Sequence, residues 1–263
     1  MMLNLFKSKP LLSTDDTEFQ VATYNWLLKN FGGQAFFEGT KLVLPTKEYF
    51  PSKVDSEEGA ARETFKVVKH YAGMDEWPCK LQAQEEDVDP KVAPTLVIQD
   101  VDSGPLGTFQ ADESEEVVIT YNPAIVSNPT QLVATYAHEL AHYLTATAQE
   151  PPPGGWENWE FATDMAATFL GFGIFMANSA FNFQQYTDVD SQGWQYNRSG
   201  YLSEAENIFA LAIFLELKSL PIEKVIPYLK PNLKKLLKKA IREVSDAGII
   251  SELSAVEFSP VSN

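Results

Sequence analysis

Residues 136–144 read "YAHELAHYL" and hold two of the chain's three histidines. His138 and His142 stand four positions apart, with Glu139 directly after the first. A helix start is legible upstream. Asn128 can cap, Pro129 suits the first helical position, and Gln131 stands where a capping-box partner belongs. These signals predict a helix over 129–147 with "AHELAH" at its centre. At 3.6 residues per turn both imidazoles project from one face, one above the other, so two ring nitrogens can reach one ion. Glu139 points to the flank, near the ion but not on it, where a base for a metal-activated water must sit.

A catalytic zinc site takes three protein ligands and leaves one position open, and two histidines plus a glutamate form an established set. Downstream, "NWEFATDMAATFLG" (158–171) supplies Glu160 and Asp164, again four apart and on one helical face. Ala167 and Gly171 continue that face, and Ala137 and Ala141 lie beside the histidines. Small residues on both sides would let the helices approach until Glu160 completes the site. Asp164, one turn on, could accept the second ring N–H of a ligating histidine and fix its tautomer. Glu157 is the alternative ligand, but Phe161 occupies its i+4 position. The competing account makes all these carboxylates surface acids of a very acidic chain.

Taken together, His138, Glu139 and His142 followed by Glu160 and Asp164 resemble the gluzincins. In these zinc metallopeptidases a His-Glu-x-x-His helix precedes a helix bearing the glutamate ligand. The resemblance covers roughly residues 115–175. It implies an α+β, zincin-like fold, Zn²⁺ held by His138, His142 and Glu160, and Asp164 behind them. It also implies hydrolysis of a peptide or protein substrate, with Glu139 as general base passing a proton to the leaving amine. In zincins the strand before the motif often forms a sheet edge that pairs with an extended substrate, a role that would fall to "EEVVITY" (115–121).

This sequence also departs from the family pattern. The segment between the motifs is short, and no histidine follows His142, so any oxyanion stabiliser must be another residue type. "GWQYNRSGYLSEAE" (193–206) offers Tyr196, Arg198 and Tyr201 in a loop before a helix, and tyrosine serves in some gluzincins. Tyr196 and Tyr201 are therefore the candidates. Two other functions fit the same residues. One is a metal hydrolase acting on a non-peptide amide. The other is a zincin-like module that keeps its metal for sensing or protein interaction, against which the presence of Glu139 argues.

The remainder of the chain sets bounds. Its 263 residues suffice for one large domain with a real core. A net charge of −16 argues against sequence-independent binding of nucleic acid, which needs a basic surface. One cysteine, Cys79, leaves no internal disulfide, and no signal-peptide run opens the sequence, so a cytoplasmic protein is expected. The uncharged stretch 165–183 approaches the length of a membrane span. It contains Gly171, Gly173, Asn178 and Asn182 and lacks flanking basic residues, so a buried core helix is expected instead.

Helices are predicted over 14–33, 57–73, 157–180, 203–219, 222–229 and 232–246. Strands are predicted at "KLVLP" (41–45), "PTLVIQD" (94–100), "GTFQA" (107–111) and 115–121. The fold expected is an N-terminal α+β half (1–126) with a small mixed sheet and its edge strand near 115–121. A helical half (127–263) carrying the metal site follows, and the two together form one catalytic unit. "EPPPGG" (150–155) reads as a rigid turn between two helices. His70 reads as structural. The lysines of "NLKKLLKKAIREV" (232–244) read as the solvated face of a helix packed on the core. Sequence leaves the oligomeric state open.

Overall fold

A computed structural model of the chain describes residues 9–51, 54, 56–84, 96–98, 117–187 and 201–258. The fold is α+β and mostly helical. Helices α1 (Thr14–Phe31) and α2 (Glu57–Tyr71) precede a small mixed sheet of β1 (Cys79–Ala83), β2 (Leu96–Ile98) and β3 (Val117–Tyr121). Then come α3 (Pro129–Thr145), α4 (Trp159–Ala167), α5 (Gly173–Thr187), α6 (Glu204–Leu217), α7 (Pro231–Asp246) and α8 (Ile249–Ser254). One hydrophobic cluster draws residues from Leu12 to Leu253, so both halves of the chain share a core.

Sheet order is β1-β3-β2, with β1 parallel and β2 antiparallel to β3. The central strand is therefore β3. That corrects the expectation of a free edge at 115–121: over 117–119 both sides of the strand carry ladder partners, Thr120 and Tyr121 pair with β1, and residues 115 and 116 lie outside the described residues. The inward positions of β3, Val117, Ile119 and Tyr121, alternate with half-buried Val118 and Thr120, as a strand with one face on a core requires. That face meets α3. The predicted strand at 107–111 falls outside the described residues.

Helix α3 is the centre of the molecule. Asn128 caps it through Oδ1, which accepts the Gln131 N–H at 3.3 Å, and its amide donates to Gln131 Oε1 at 3.3 Å. Every residue from Leu132 to His142 is buried, because β3, α2, α4 and α5 surround the helix. A helix enclosed on all sides can be apolar all round. His138, Glu139 and His142 are the exceptions that need explaining.

The helix predicted over 157–180 is broken. A 3-10 turn (Trp156–Asn158) leads into α4, and a π-helical turn (Thr168–Phe172) separates α4 from α5. The break lies at Gly171, whose φ of 101° is strained for any L side chain. A Cβ there would lie 2.0 Å from the Lys41 carbonyl oxygen. The Gly171 carbonyl in turn accepts the Val43 N–H at 3.0 Å. "KLVLP" is thus not a strand but an extended crossing, with Leu42 and Val43 buried against the kink. Gly171 is small for that crossing, not to let α4 approach α3.

The turn expected at "EPPPGG" does lie between α3 and α4. Gly154 and Gly155 adopt φ values of 80° and 91°, and the Asn158 amide donates to the Pro153 carbonyl at 3.3 Å. Residues 222–229 form two 3-10 turns rather than a helix, and α8 was not foreseen. The apolar face of α7 (Leu233, Leu237, Ala240, Val244) is buried against α6 and α8, leaving its basic face outward. Among the described residues no helix is long and apolar enough to cross a membrane. The uncharged stretch instead supplies core residues such as Met165, Phe172 and Met176.

Candidate metal centre

His138 and His142 come off one face of α3 with ring centroids 4.6 Å apart. They are 3% and 7% exposed. Buried imidazoles need partners for both nitrogens, and α4 supplies them. His138 Nδ1 lies 2.8 Å from Asp164 Oδ1, and His142 Nδ1 lies 3.2 Å from Thr163 Oγ1. Both Nε2 atoms turn to a single oxygen. Glu160 Oε2 is 3.4 Å from His138 Nε2 and 3.1 Å from His142 Nε2.

The electrostatics follow from that geometry. Burial pulls the His138 pKa down, but the hydrogen bonds to Asp164 and Glu160, with the charges of Asp164 and Glu139, overcome it. The group ends well above the usual histidine range. Burial pushes Glu160 up, but its bonds to His138 and His142 hold it far below the usual carboxylate range. Two carboxylates and two imidazoles thus form one charge cluster walled by α3 and α4.

The donor set fits a zinc ion. Around one tetrahedral ion with bonds of about 2.0–2.2 Å, ligand atoms sit roughly 3.3–3.5 Å apart. The two separations involving Glu160 Oε2 are close to that span, and donor atoms of His138, His142 and Glu160 all lie within 4.8 Å of one another. Histidine Nε2 with a carboxylate is a common zinc donor set, and both Nδ1 atoms already have outer partners. The Glu160 side chain is 45% exposed, so the cluster is open on its side. Glu157 lies on the preceding 3-10 turn and is exposed, outside the group of three.

Glu139 is 2% exposed and is not one of the three converging donors. Its charge reaches both His138 and Tyr201, placing it beside the cluster. The Tyr201 ring lies 5.4 Å from the His138 ring, and burial raises its pKa, with Glu160, Asp164 and Glu139 adding to the rise and His138 opposing it. Tyr196 and Arg198 lie outside the described residues. His70 is not one of the converging donors, and its Nδ1 lies 2.9 Å from Asp75 Oδ2 at the exposed end of α2.

Three contributors escaped the sequence reading. Thr163 backs His142. The Leu202 N–H donates to Asp164 Oδ2 at 2.8 Å, so one carboxylate holds both His138 and the start of the segment entering α6. Trp159 packs edge-on against the His142 ring, with centroids 4.9 Å apart, and its indole N–H donates to Thr145 Oγ1 at 2.8 Å. In sequence, Thr163 is one polar residue inside an apolar helix, and no spacing rule marks it. A cleft of about 850 Å³ opens elsewhere, lined by Phe31, Phe36, Tyr71, Trp77, Leu144 and Phe169, and touches none of the cluster. No protein-family model matches the chain, nor does any curated protein or solved structure.

Proposed function

We propose that the chain is a zinc-dependent peptidase of the gluzincin kind, working in the cytoplasm on peptide or protein substrates. The observation that carries this reading is the convergence of His138 Nε2 and His142 Nε2 on one oxygen of Glu160, with Glu139 beside them. Bound zinc would supply a Lewis acid that polarises the scissile carbonyl and acidifies a water. His138, His142 and Glu160 would hold it, leaving the side next to the exposed Glu160 for substrate. Glu139 would take a proton from the attacking water and return it to the leaving amine. Tyr201, beside His138, would be the candidate among the described residues for hydrogen-bonding the developing oxyanion. Asp164 would keep the His138 ring turned so that Nε2 faces the ion. The single cysteine, compatible with a reducing compartment, supports the cytoplasmic assignment.

The test has two arms. Protein purified without chelator should carry about one zinc per chain, and His138→Ala with His142→Ala should empty it. Glu139→Gln should keep the zinc and lose hydrolysis of a mixed peptide library, because an amide of the same shape cannot take the proton. Full zinc in the double variant, or activity within a few-fold in Glu139→Gln, refutes the reading.

A further inference from the structure

Helix α6 is buried almost throughout and apolar where it is buried, with one exception. Asn207 is 1% exposed beside Ile208, Phe209 and Ala210, and asparagine is a poor residue inside a helix. Its Oδ1 has no hydrogen-bond partner among the described residues, so packing and satisfaction do not explain it.

The amide nitrogen does. Asn207 Nδ2 donates to the Leu202 carbonyl at 3.0 Å and to the Ser203 carbonyl at 3.2 Å. Ser203 is already inside the helical ladder, because its carbonyl accepts the Asn207 N–H at 2.9 Å. The Leu202 carbonyl is not. The Glu206 N–H, four residues on, bonds the capping Ser203 Oγ at 3.3 Å instead. A side chain therefore holds what the helix leaves loose.

Leu202 is tied to the site at its other end. Its N–H donates to Asp164 Oδ2 at 2.8 Å, and Asp164 Oδ1 lies 2.8 Å from His138 Nδ1. The N–H and the carbonyl of Leu202 belong to successive peptide planes, so fixing both fixes the backbone between them. Tyr201, whose ring stands 5.4 Å from that of His138, is the next residue back.

Resting on the zinc-peptidase reading above, we propose that Asn207 is a positioning residue: its amide locks the 201–203 backbone so that Leu202 meets Asp164 and Tyr201 stands beside the metal site. Asn207 touches neither metal nor substrate, and acts through these two neighbours.

The test uses the full chain with Asn207→Leu, Tyr201→Phe and the double variant. Leucine keeps the approximate size of asparagine and removes the donor. Amide hydrogen exchange is read residue by residue in metal-free protein. In Asn207→Leu the Leu202 amide should exchange about tenfold faster, the worth of one ordinary hydrogen bond, while amides from Phe209 to Leu217 keep their wild-type rates. Hydrolysis is read at saturating zinc. A small misplacement of a reacting group costs up to about 10²-fold, so Asn207→Leu should lower kcat by about 10–100-fold with KM within a few-fold. In the Tyr201→Phe background the same change should cost only a few-fold, because the group it aligns is gone. A Leu202 amide as protected as in wild type, or protection lost along all of α6, would make Asn207 a helix-stabilising residue and overturn the proposal. An equal kcat loss in both backgrounds would also overturn it. If wild type neither binds zinc nor hydrolyses peptide, the functional reading fails, and the exchange of the Leu202 amide still decides whether Asn207 aligns this segment.

Discussion

Asp164→Ala is expected to damage the fold as well as the site, because both oxygens of this carboxylate are engaged inside the protein. Oδ1 pairs with His138 Nδ1 at 2.8 Å, Oδ2 accepts the Leu202 N–H at 2.8 Å, and Asp164 itself is 2% exposed. Leu202 is fully buried, and a buried donor stripped of its acceptor costs about 1–3 kcal/mol. Removing one partner of a buried ion pair costs about 3–5 kcal/mol. His138 can relieve part of that by giving up its proton, and Glu160 Oε2 remains 3.4 Å from its other nitrogen, so the lower end applies. The working figure is about 4 kcal/mol, a large share of a typical stability of about 5–15 kcal/mol. At about 2–4 °C per kcal/mol for a chain near this size, the melting temperature should fall by about 8–16 °C. Asp164→Asn keeps one acceptor for two donors and should lose about half as much. Urea unfolding of chelator-treated protein gives the free energy directly, provided the slope m is unchanged. A loss below about 1 kcal/mol for Asp164→Ala at constant m would refute the reasoning, since at least one of the two hydrogen bonds would then be dispensable.

Three further substitutions test other parts of the structure. Glu160→Ala should nearly abolish zinc binding in a chelator competition, whereas Glu157→Ala, on an exposed turn, should bind within a few-fold of wild type; the reverse order would place the ligand one turn earlier. Gly171→Ala places a Cβ 2.0 Å from the Lys41 carbonyl at a φ of 101° and should cost more than about 2 kcal/mol, read as a melting temperature lower by more than about 4 °C.

What the sequence made legible is what repeats along one dimension. The four-residue spacings of His138 with His142 and of Glu160 with Asp164, the Asn128 cap, and the alternation of Val117, Ile119 and Tyr121 are all periodic or local, and the structure has them. The parts that were not legible depend on segments distant in the chain. "KLVLP" has the composition of a strand, but its Val43 N–H finds a partner at the Gly171 carbonyl rather than in a sheet. The edge position expected of β3 came from the resemblance to zincins alone; its neighbours in the sheet, β1 and β2, come from earlier in the chain, and pairing on both sides leaves no mark on an alternating pattern.

The orientation of the site was recoverable in principle, from two spacings and one turn. Residues four apart on a helix rise about 6 Å, so two such pairs on facing helices match one to one, in either direction. The direction is set by the connection. Between Thr145 and Trp159 the chain has only a short segment containing "EPPPGG", and short connections join antiparallel neighbours. Antiparallel packing brings Glu160 level with His142 and Asp164 level with His138, which is the pairing the hydrogen bonds take. Thr163, one position before Asp164, then falls behind the other ring. Glu160 reaches both Nε2 atoms through one oxygen because it lies at the open end of the pair, with its side chain 45% exposed, whereas Asp164 is enclosed and already committed to His138 and Leu202. The division of labour between these two carboxylates therefore comes from depth in the helix pair. Sequence shows their spacing, and only the packing of α3 on α4 shows which of the two is free to hold an ion.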